Sequence, residues 1–459
     1  MDFSQANTAL WNPMIQIGII AGLLIISNII RRKIGFIRRS LMPTAVIAGF
    51  ILLILRTTGV LKMNAEFLET LTYHSLALGF IALSLRIPEK NTSEGAAIGS
   101  KSGALIVSTY LIQAFTGLLI SIGLAYTFMP DFFKAGGILL AMGYGQGPGQ
   151  ANNVGVTYEG FGFEGGQSFG LAIAAAGYLC ACVIGVIFLN IYNRKGKLTK
   201  KGNGEIISGS VTVDQFQDQN EIPVAESVDK LSVQAALIVM VYLLTYLLTW
   251  GLCALLNLIS AGLANTVSSL LWGFNFIIGS MVAIIVRIVM SKLRKHNIMK
   301  RQYQNNYLLS RVSGLAFDLM IIAGIASIEV KDLEGLWVPF IIMAVLGGII
   351  TFVYLRIMCK KLYPKYEYEA FFSMYGMLTG TISSGVLLLR EIDPNFNTPA
   401  ANNLITGSSF GIAFGAPLLV LISLAAKNTM MTFVTLGLLV VYFLLLMLIM
   451  VKKSRKKNK

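Results

Sequence analysis

The run Gly143-Tyr144-Gly145-Gln146-Gly147-Pro148-Gly149-Gln150-Ala151-Asn152-Asn153 lies between strongly apolar segments, yet it is too polar and too rich in helix breakers to face lipid. In hydrocarbon every backbone N–H and C=O needs a partner, so unwound backbone at membrane depth is tolerated only inside protein or against a water-filled cavity. A second run of small and hydroxyl residues, Gly376-Met377-Leu378-Thr379-Gly380-Thr381-Ile382-Ser383-Ser384-Gly385, occurs roughly half a chain later. Paired breaks at corresponding places in two halves point to a secondary transporter.

The surroundings of these runs are membrane-like. Of 459 residues 55% are hydrophobic and only 13% charged, against about 25% charged in a soluble domain. Helices about 20 residues long are needed to cross a bilayer. Spans are expected near 14–30, 41–56, 71–86, 103–128, 167–190, 231–256, 265–290, 310–328, 335–356, 405–426 and 429–451. The segments 134–158 and 369–391 have apolar shoulders around a glycine- and hydroxyl-rich centre, and are expected to be re-entrant hairpins. The start Met1-Asp2-Phe3-Ser4-Gln5 has no basic lead-in of a signal peptide, so the first apolar segment is expected to be retained.

Charge tests this layout. The net charge of +15 is topological and calls for no nucleic acid, because the basic residues cluster between apolar segments. With the N-terminus outside, the loops 31–40, 86–102, 191–230, 291–309 and 357–368 and the tail from Lys452 lie inside, and each carries three or more Lys/Arg. The outer loops carry at most one each, so the bias has the sense expected of cytoplasmic loops. Had either hairpin crossed fully, every later loop would change sides and the bias would reverse. The expected location is therefore the plasma (inner) membrane, multi-pass, with the C-terminus cytoplasmic.

An internal repeat is also visible. Gly166-Gln167-Ser168-Phe169-Gly170 and Gly407-Ser408-Ser409-Phe410-Gly411 each open the span after a hairpin, and Ser75-Leu76-Ala77-Leu78 echoes Gly314-Leu315-Ala316-Phe317 at nearly the same offset. Five spans plus one hairpin per half is an odd number of crossings, so the halves have opposite orientations. The expected fold class is an all-α polytopic membrane protein with two inverted-topology repeats of five helices and a hairpin each. Residues 1–190 form the first repeat, 191–230 a polar cytoplasmic linker, and 231–428 the second repeat; 429–459 add one helix and a basic tail. The linker contains only two aromatics, Tyr192 at its start and Phe216, and cannot bury a core.

The order of parts resembles the bacterial sodium/glutamate symporter family, which is similar in fold to the sodium/citrate (2-hydroxycarboxylate) carriers. In the first hairpin that family carries a Gly-Gly-His-Gly-Thr-Gly type sequence, matched here by Met142-Gly143-Tyr144-Gly145-Gln146-Gly147, which keeps glycine spacing but not the His or Thr. In the second, a Gly-x-Gly-Leu-Gly-Ala-Thr-Pro-Thr pattern is matched by Gly376 to Ser384. The glycines match better than the side chains that would touch substrate. The resemblance implies sodium coupling, glutamate as the first candidate cargo, movement of a hairpin-bearing core against a scaffold, and a homodimer.

The residues themselves suggest roles. A hairpin tip presents helix N-termini suited to a carboxylate. Glycine-turn carbonyls and the hydroxyls of Thr379, Thr381, Ser383 and Ser384 are hard oxygen donors suited to sodium, Gly380 and Thr381 being the nearest to the second break. Gly145, Gln146, Gly147, Gln150, Asn152 and Asn153 line the first break and are expected to bind substrate, since the amides can both donate and accept and so hold the ammonium and carboxylate groups of a cargo. The plainer alternative is that these side chains only satisfy backbone in a packed hairpin. Asp318, the one carboxylate well inside a span, is read as a sodium ligand or proton-coupling group, or else as a structural ion pair with Arg390. Arg390 either clamps a cargo carboxylate or snorkels beside Glu391.

Other chemistry finds little support. Cys180, Cys182, Cys253 and Cys359 show no metal-ligand spacing and read as small buried hydrophobes. Neither paired acids nor a Ser/His pair at depth marks a membrane enzyme, and no cofactor is expected beyond sodium as the coupling ion. A channel is the other rival, distinguished from a carrier by saturable counterflow.

Overall fold

The computed structural model describes residues 3–4, 7–39, 42–87, 93–195, 224–259, 268, 271–272, 275–299, 302–393 and 398–451. Among these residues there are helices and turns but no strands. The described helices, numbered in chain order, are α1 Thr8–Lys33, α2 Gly35–Arg39, α3 Thr44–Thr57, α4 Ala65–Leu85, α5 Ser93–Ala125, α6 Pro148–Glu159, α7 Gly166–Leu179, α8 Gly185–Arg194, α9 Val224–Ile259 and α10 Asn275–Lys295. They continue as α11 Asn306–Ala326, α12 Trp337–Leu362, α13 Glu367–Thr379, α14 Ile382–Arg390, α15 Ala400–Ala426 and α16 Thr429–Val451. Ten described helical stretches are long and apolar enough to cross a bilayer. The protein is an all-α polytopic membrane protein. The expected span 41–56 is the short one: α3 has 14 residues, about 21 Å at 1.5 Å per residue. Most of the expected linker, 196–223, and the basic tail beyond Val451 lie outside the described residues.

Packing divides the described residues into two compact units, one within Met1–Glu69, Asn91–Gly204 and Ile321–Lys459, the other within Thr70–Lys90 and Glu205–Met320. Each unit draws on both halves of the chain. The smaller unit is centred on Ile81, Ala82, Leu85, Ile238, Val241, Val282, Ala283 and Leu309. Polar locks tie its helix ends together. Asn306 exchanges two hydrogen bonds of 2.7 Å with the backbone of Ile87, and the Arg287 guanidinium caps the carbonyls of Ser84 and Arg86.

The larger unit is organised around α5. Small residues let other backbones reach this helix directly, the usual way for membrane helices to pack. Gly117 of α5 meets Gly137 backbone to backbone, and Gly103 lies against Phe410 and Gly411 of α15. Both glycine-broken segments belong to this unit.

Each broken segment goes out and comes back. Residues 134–138 form a short 3-10 helix and 141–146 a π-turn, after which the chain reverses at Gly147 into α6. The two ends close on one aromatic cluster: Phe133 stacks on Phe163 with ring centroids 5.2 Å apart, and Phe132 meets both Phe163 and Phe169 edge-on. The second segment reverses between α13 and α14. Its arms press together where Gly376 faces Gly385, and Tyr366, just before α13, accepts a 2.8 Å hydrogen bond from the Asn403 amide in α15.

The two bases lie at opposite ends of α12. At its start, the 331–336 loop lines a cavity of about 770 Å³ together with Phe128–Phe133 and Gly162–Gly165, the base of the first segment. At its other end Arg356 pairs with Glu367 at 2.9 Å and lies over the rings of Tyr368 and Tyr192, at the base of the second. Arg356 lies 19 residues after Trp337, so the two contacts are separated by about 29 Å of helix.

Candidate functional site

The site is built where the two reversals meet. Gly147 has φ 88° and ψ −176°, a combination open almost only to glycine. Pro148 follows at the first helical position, where its ring sets the helical φ and its missing N–H costs nothing. No side chain caps α6, and while the Ala151 N–H bonds to the Gly147 carbonyl, the N–H groups of Gly149 and Gln150 precede the first bond within the helix. In the second segment α13 stops at Thr379, Gly380 leaves the helix with φ −142° and ψ −107°, Thr381 is extended, and α14 starts at Ile382, again with no side-chain cap.

These breaks are neighbours. A Cβ placed on Gly147 would sit 3.7 Å from both the Gly380 carbonyl oxygen and the Thr381 methyl, and 3.8 Å from the Tyr178 hydroxyl. Gly177 of α7 faces the Thr379 carbonyl, and a Cβ on Gly380 would lie 2.9 Å from Ser384 Oγ. Two uncapped helix N-termini, those of α6 and α14, thus open on one region together with the carbonyl end of α13.

On the elements around these breaks several buried polar atoms have no hydrogen-bond partner among the described residues: Gln150 Oε1, Gln113 Oε1, Tyr375 Oη, Thr381 Oγ1 and Ser384 Oγ. Gln150 is 1% exposed and Ser384 3%. Buried polar groups are nearly always satisfied, and leaving one unpaired costs about 1–3 kcal/mol. Such a concentration beside two helix breaks marks a place where a ligand would supply the missing partners.

The expected site residues are not equivalent. Gly145, Gly147, Gln150, Gly380, Thr381 and Ser384 come together at the breaks. Gln146, immediately before the first reversal, is partly exposed. Asn152 is buried and its Oδ1 accepts from Gln167 Nε2 at 2.9 Å, while the Asn153 carbonyl accepts from Thr157 Oγ1 at 2.7 Å. Thr379 spends its hydroxyl on the Tyr375 carbonyl of its own helix at 2.8 Å, which leaves its backbone carbonyl to the site. The side chains of Ser383 and Arg390 lie outside the described residues. Asp318 belongs to the other unit, on α11, and makes no hydrogen bond or ion pair among the described residues.

Four further residues lie close to these elements and were not among the expected site residues. Tyr144 donates to the Ala344 carbonyl of α12 at 2.5 Å and lies 3.1 Å from Cys180 Sγ. Tyr178 borders the Gly147 turn, and Tyr375 sits fully buried on α13. Gln113 on α5 is the fourth, with Nε2 donating to Thr351 Oγ1 at 2.8 Å and to the Leu378 carbonyl at 2.9 Å. A lone amide within an apolar span was the signal for Gln113; Tyr144 stands inside the first glycine run, and nothing in the sequence singles out Tyr178 or Tyr375.

No protein-family model and no curated protein matches this chain.

Proposed function

We propose that this protein is a sodium-coupled secondary active transporter, a symporter, for glutamate or a related small carboxylate. The observation that carries the reading is the meeting of two helix breaks inside one unit of a polytopic membrane protein, at Gly147 and at Gly380–Thr381. Helix N-termini favour a carboxylate, and freed carbonyls with hydroxyls favour a hard cation such as sodium. Anion-seeking and cation-seeking groups side by side are what a symport site needs.

The bases of the broken segments lie at opposite ends of α12, which supports entry of one segment from each face of the bilayer. On this reading the chain is two inverted repeats of five helices and a re-entrant hairpin each, with a final extra helix. Transport then proceeds by alternating access, a hairpin-bearing core moving against scaffold helices. The likeness to the sodium/glutamate symporters further suggests a homodimer in the bacterial inner membrane, with the N-terminus outside.

The test is uptake in proteoliposomes holding the purified protein, with labelled glutamate, glutarate, citrate and neutral amino acids. A sodium gradient is expected to drive saturable uptake and counterflow of one of the acids, and a proton gradient alone is not. Uptake indifferent to sodium would replace the coupling ion, and conductance without counterflow would replace the carrier by a channel.

A further inference from the structure

Gln113 lies in the middle of α5 and is fully buried. Its amide has two faces with different duties. One meets the Leu378 carbonyl at 2.9 Å, and since a carbonyl only accepts, this face is the NH2 group. The oxygen is thereby directed the other way, toward the first broken segment, where a Cβ on Gly145 would lie 2.7 Å from Oε1. Tyr110 presses on Gly145 from the same helix, so only a glycine there lets α5 bring the amide this close.

Oε1 has no hydrogen-bond partner among the described residues, and Gln150 Oε1, buried in the first turn of α6, has none either. Gly145 stands just before the reversal at Gly147 and Leu378 just before the one at Gly380. Gln113 therefore touches both broken segments at once, from a helix that belongs to neither. Its NH2 removes one carbonyl from those that α13 exposes and its own oxygen takes that place. An acceptor buried in this way calls for a donor or a positive charge.

Resting on the carrier reading above, we propose that Gln113 Oε1 receives a cationic group where the two broken segments meet, either the coupling ion or the ammonium of an amino-acid cargo. Both sources share one chemistry, a compact positive charge that seeks oxygen. The amide fixes the position of that oxygen through its bonds to Thr351 and Leu378.

The experiment uses full-length detergent-purified protein and calorimetric titration with sodium chloride, L-glutamate and glutarate, which is glutamate without its ammonium. Gln113→Leu removes both donor and acceptor; Gln113→Glu keeps an oxygen and loses the NH2. Gln113→Leu is expected to weaken binding by about tenfold or more, and Gln113→Glu, which keeps an acceptor but loses the bonds that position it, to weaken it less. Loss of sodium affinity assigns the oxygen to the coupling ion, whereas loss for L-glutamate with glutarate unchanged assigns it to the ammonium. Equal weakening of all three ligands by both variants would show that Gln113 only holds Leu378 in place, and would overturn the proposal. So would unchanged binding in Gln113→Leu, or a wild type that binds neither sodium nor L-glutamate. If Gln113→Leu does not fold, judged by size-exclusion profile, Gln113→Glu decides alone, because loss of sodium and L-glutamate binding there contradicts an acceptor role. A wild type that binds these ligands yet shows no sodium-driven counterflow defeats the carrier reading and leaves the role of Gln113 standing.

Discussion

Gly147 faces Gly380 across the meeting point of the two broken segments, and no atom outside its own turn would come within 3.7 Å of a Cβ placed on it. Space is therefore not what requires glycine there. The requirement is backbone conformation, φ 88° with ψ −176°, where a side chain costs about 1–3 kcal/mol. Gly147→Ala is expected to lower thermal stability by that order and to weaken ligand binding further, because the turn that aims α6 at the site must relax. Gly162 offers a control: its φ is 94° and nothing lies within 4 Å, but it sits at the base of the segment. Gly162→Ala should cost similar stability and leave affinity intact; equal affinity losses in both variants would remove the special role of Gly147.

Backbone proximity, by contrast, governs Gly117 and Gly137. A Cβ on either would run into the carbonyl of the other, and both atoms are backbone, so no side chain can turn aside. Alanine at either position is expected to force α5 away from the first broken segment and to abolish the monodisperse peak in detergent. Gly123, further along α5 with open space around it, makes the comparison. Gly123→Ala should fold normally and gain up to about 1 kcal/mol from helix propensity. Normal expression and melting of Gly137→Ala would mean that the two segments are not in contact.

Glu159 gives the base of the first segment a pH response. Burial raises its carboxyl above the ordinary value of 4.5, the charges of Asp332 and Glu69 add to the effect, and the Gln167 N–H at 2.9 Å opposes it. For an acid whose pKa is raised by folding, the native state binds the proton more tightly than the unfolded chain does. The resulting stabilisation is complete below the unfolded pKa and is lost as pH rises through the raised folded value. Melting temperature measured from about pH 4 to 7 should therefore fall with pH more steeply for the wild type than for Glu159→Gln. Parallel curves would show that the carboxyl does not titrate in this window.

The reversals themselves were legible from residues alone, since glycine with proline at 147–148 and glycine with hydroxyls at 376–385 cannot continue a lipid-facing helix. Local chemistry decides such features, so they survive without knowledge of neighbours. What packs against them is a different matter. Tyr178 comes beside Gly147 only because α7 lies against both segments through Gly170 and Gly177, and Tyr375 owes its buried position to the packing of α13. Thr379 shows the converse: it belongs to the right run, yet its hydroxyl bonds to its own helix. Rotation about a helix axis, set by partners far away in sequence, determines which polar residues reach the site.

Asp318 is the remaining charge deep in a span, and its function can be isolated from structure by one substitution. An ionised carboxylate at mid-helix costs about 3 kcal/mol on membrane insertion. The described residues offer it no hydrogen bond or ion pair to offset that cost, so its retention argues for a ligand or a proton. Asp318→Asn keeps the shape and removes the charge. If Asp318 couples ion to cargo, the variant should bind cargo yet lose the steep dependence of uptake on the driving ion, and should melt no lower than wild type because a costly charge is gone. Transport with unchanged sodium and proton dependence in the same vesicles would eliminate Asp318 from coupling and leave the oxygens at the two breaks as the ion's own ligands.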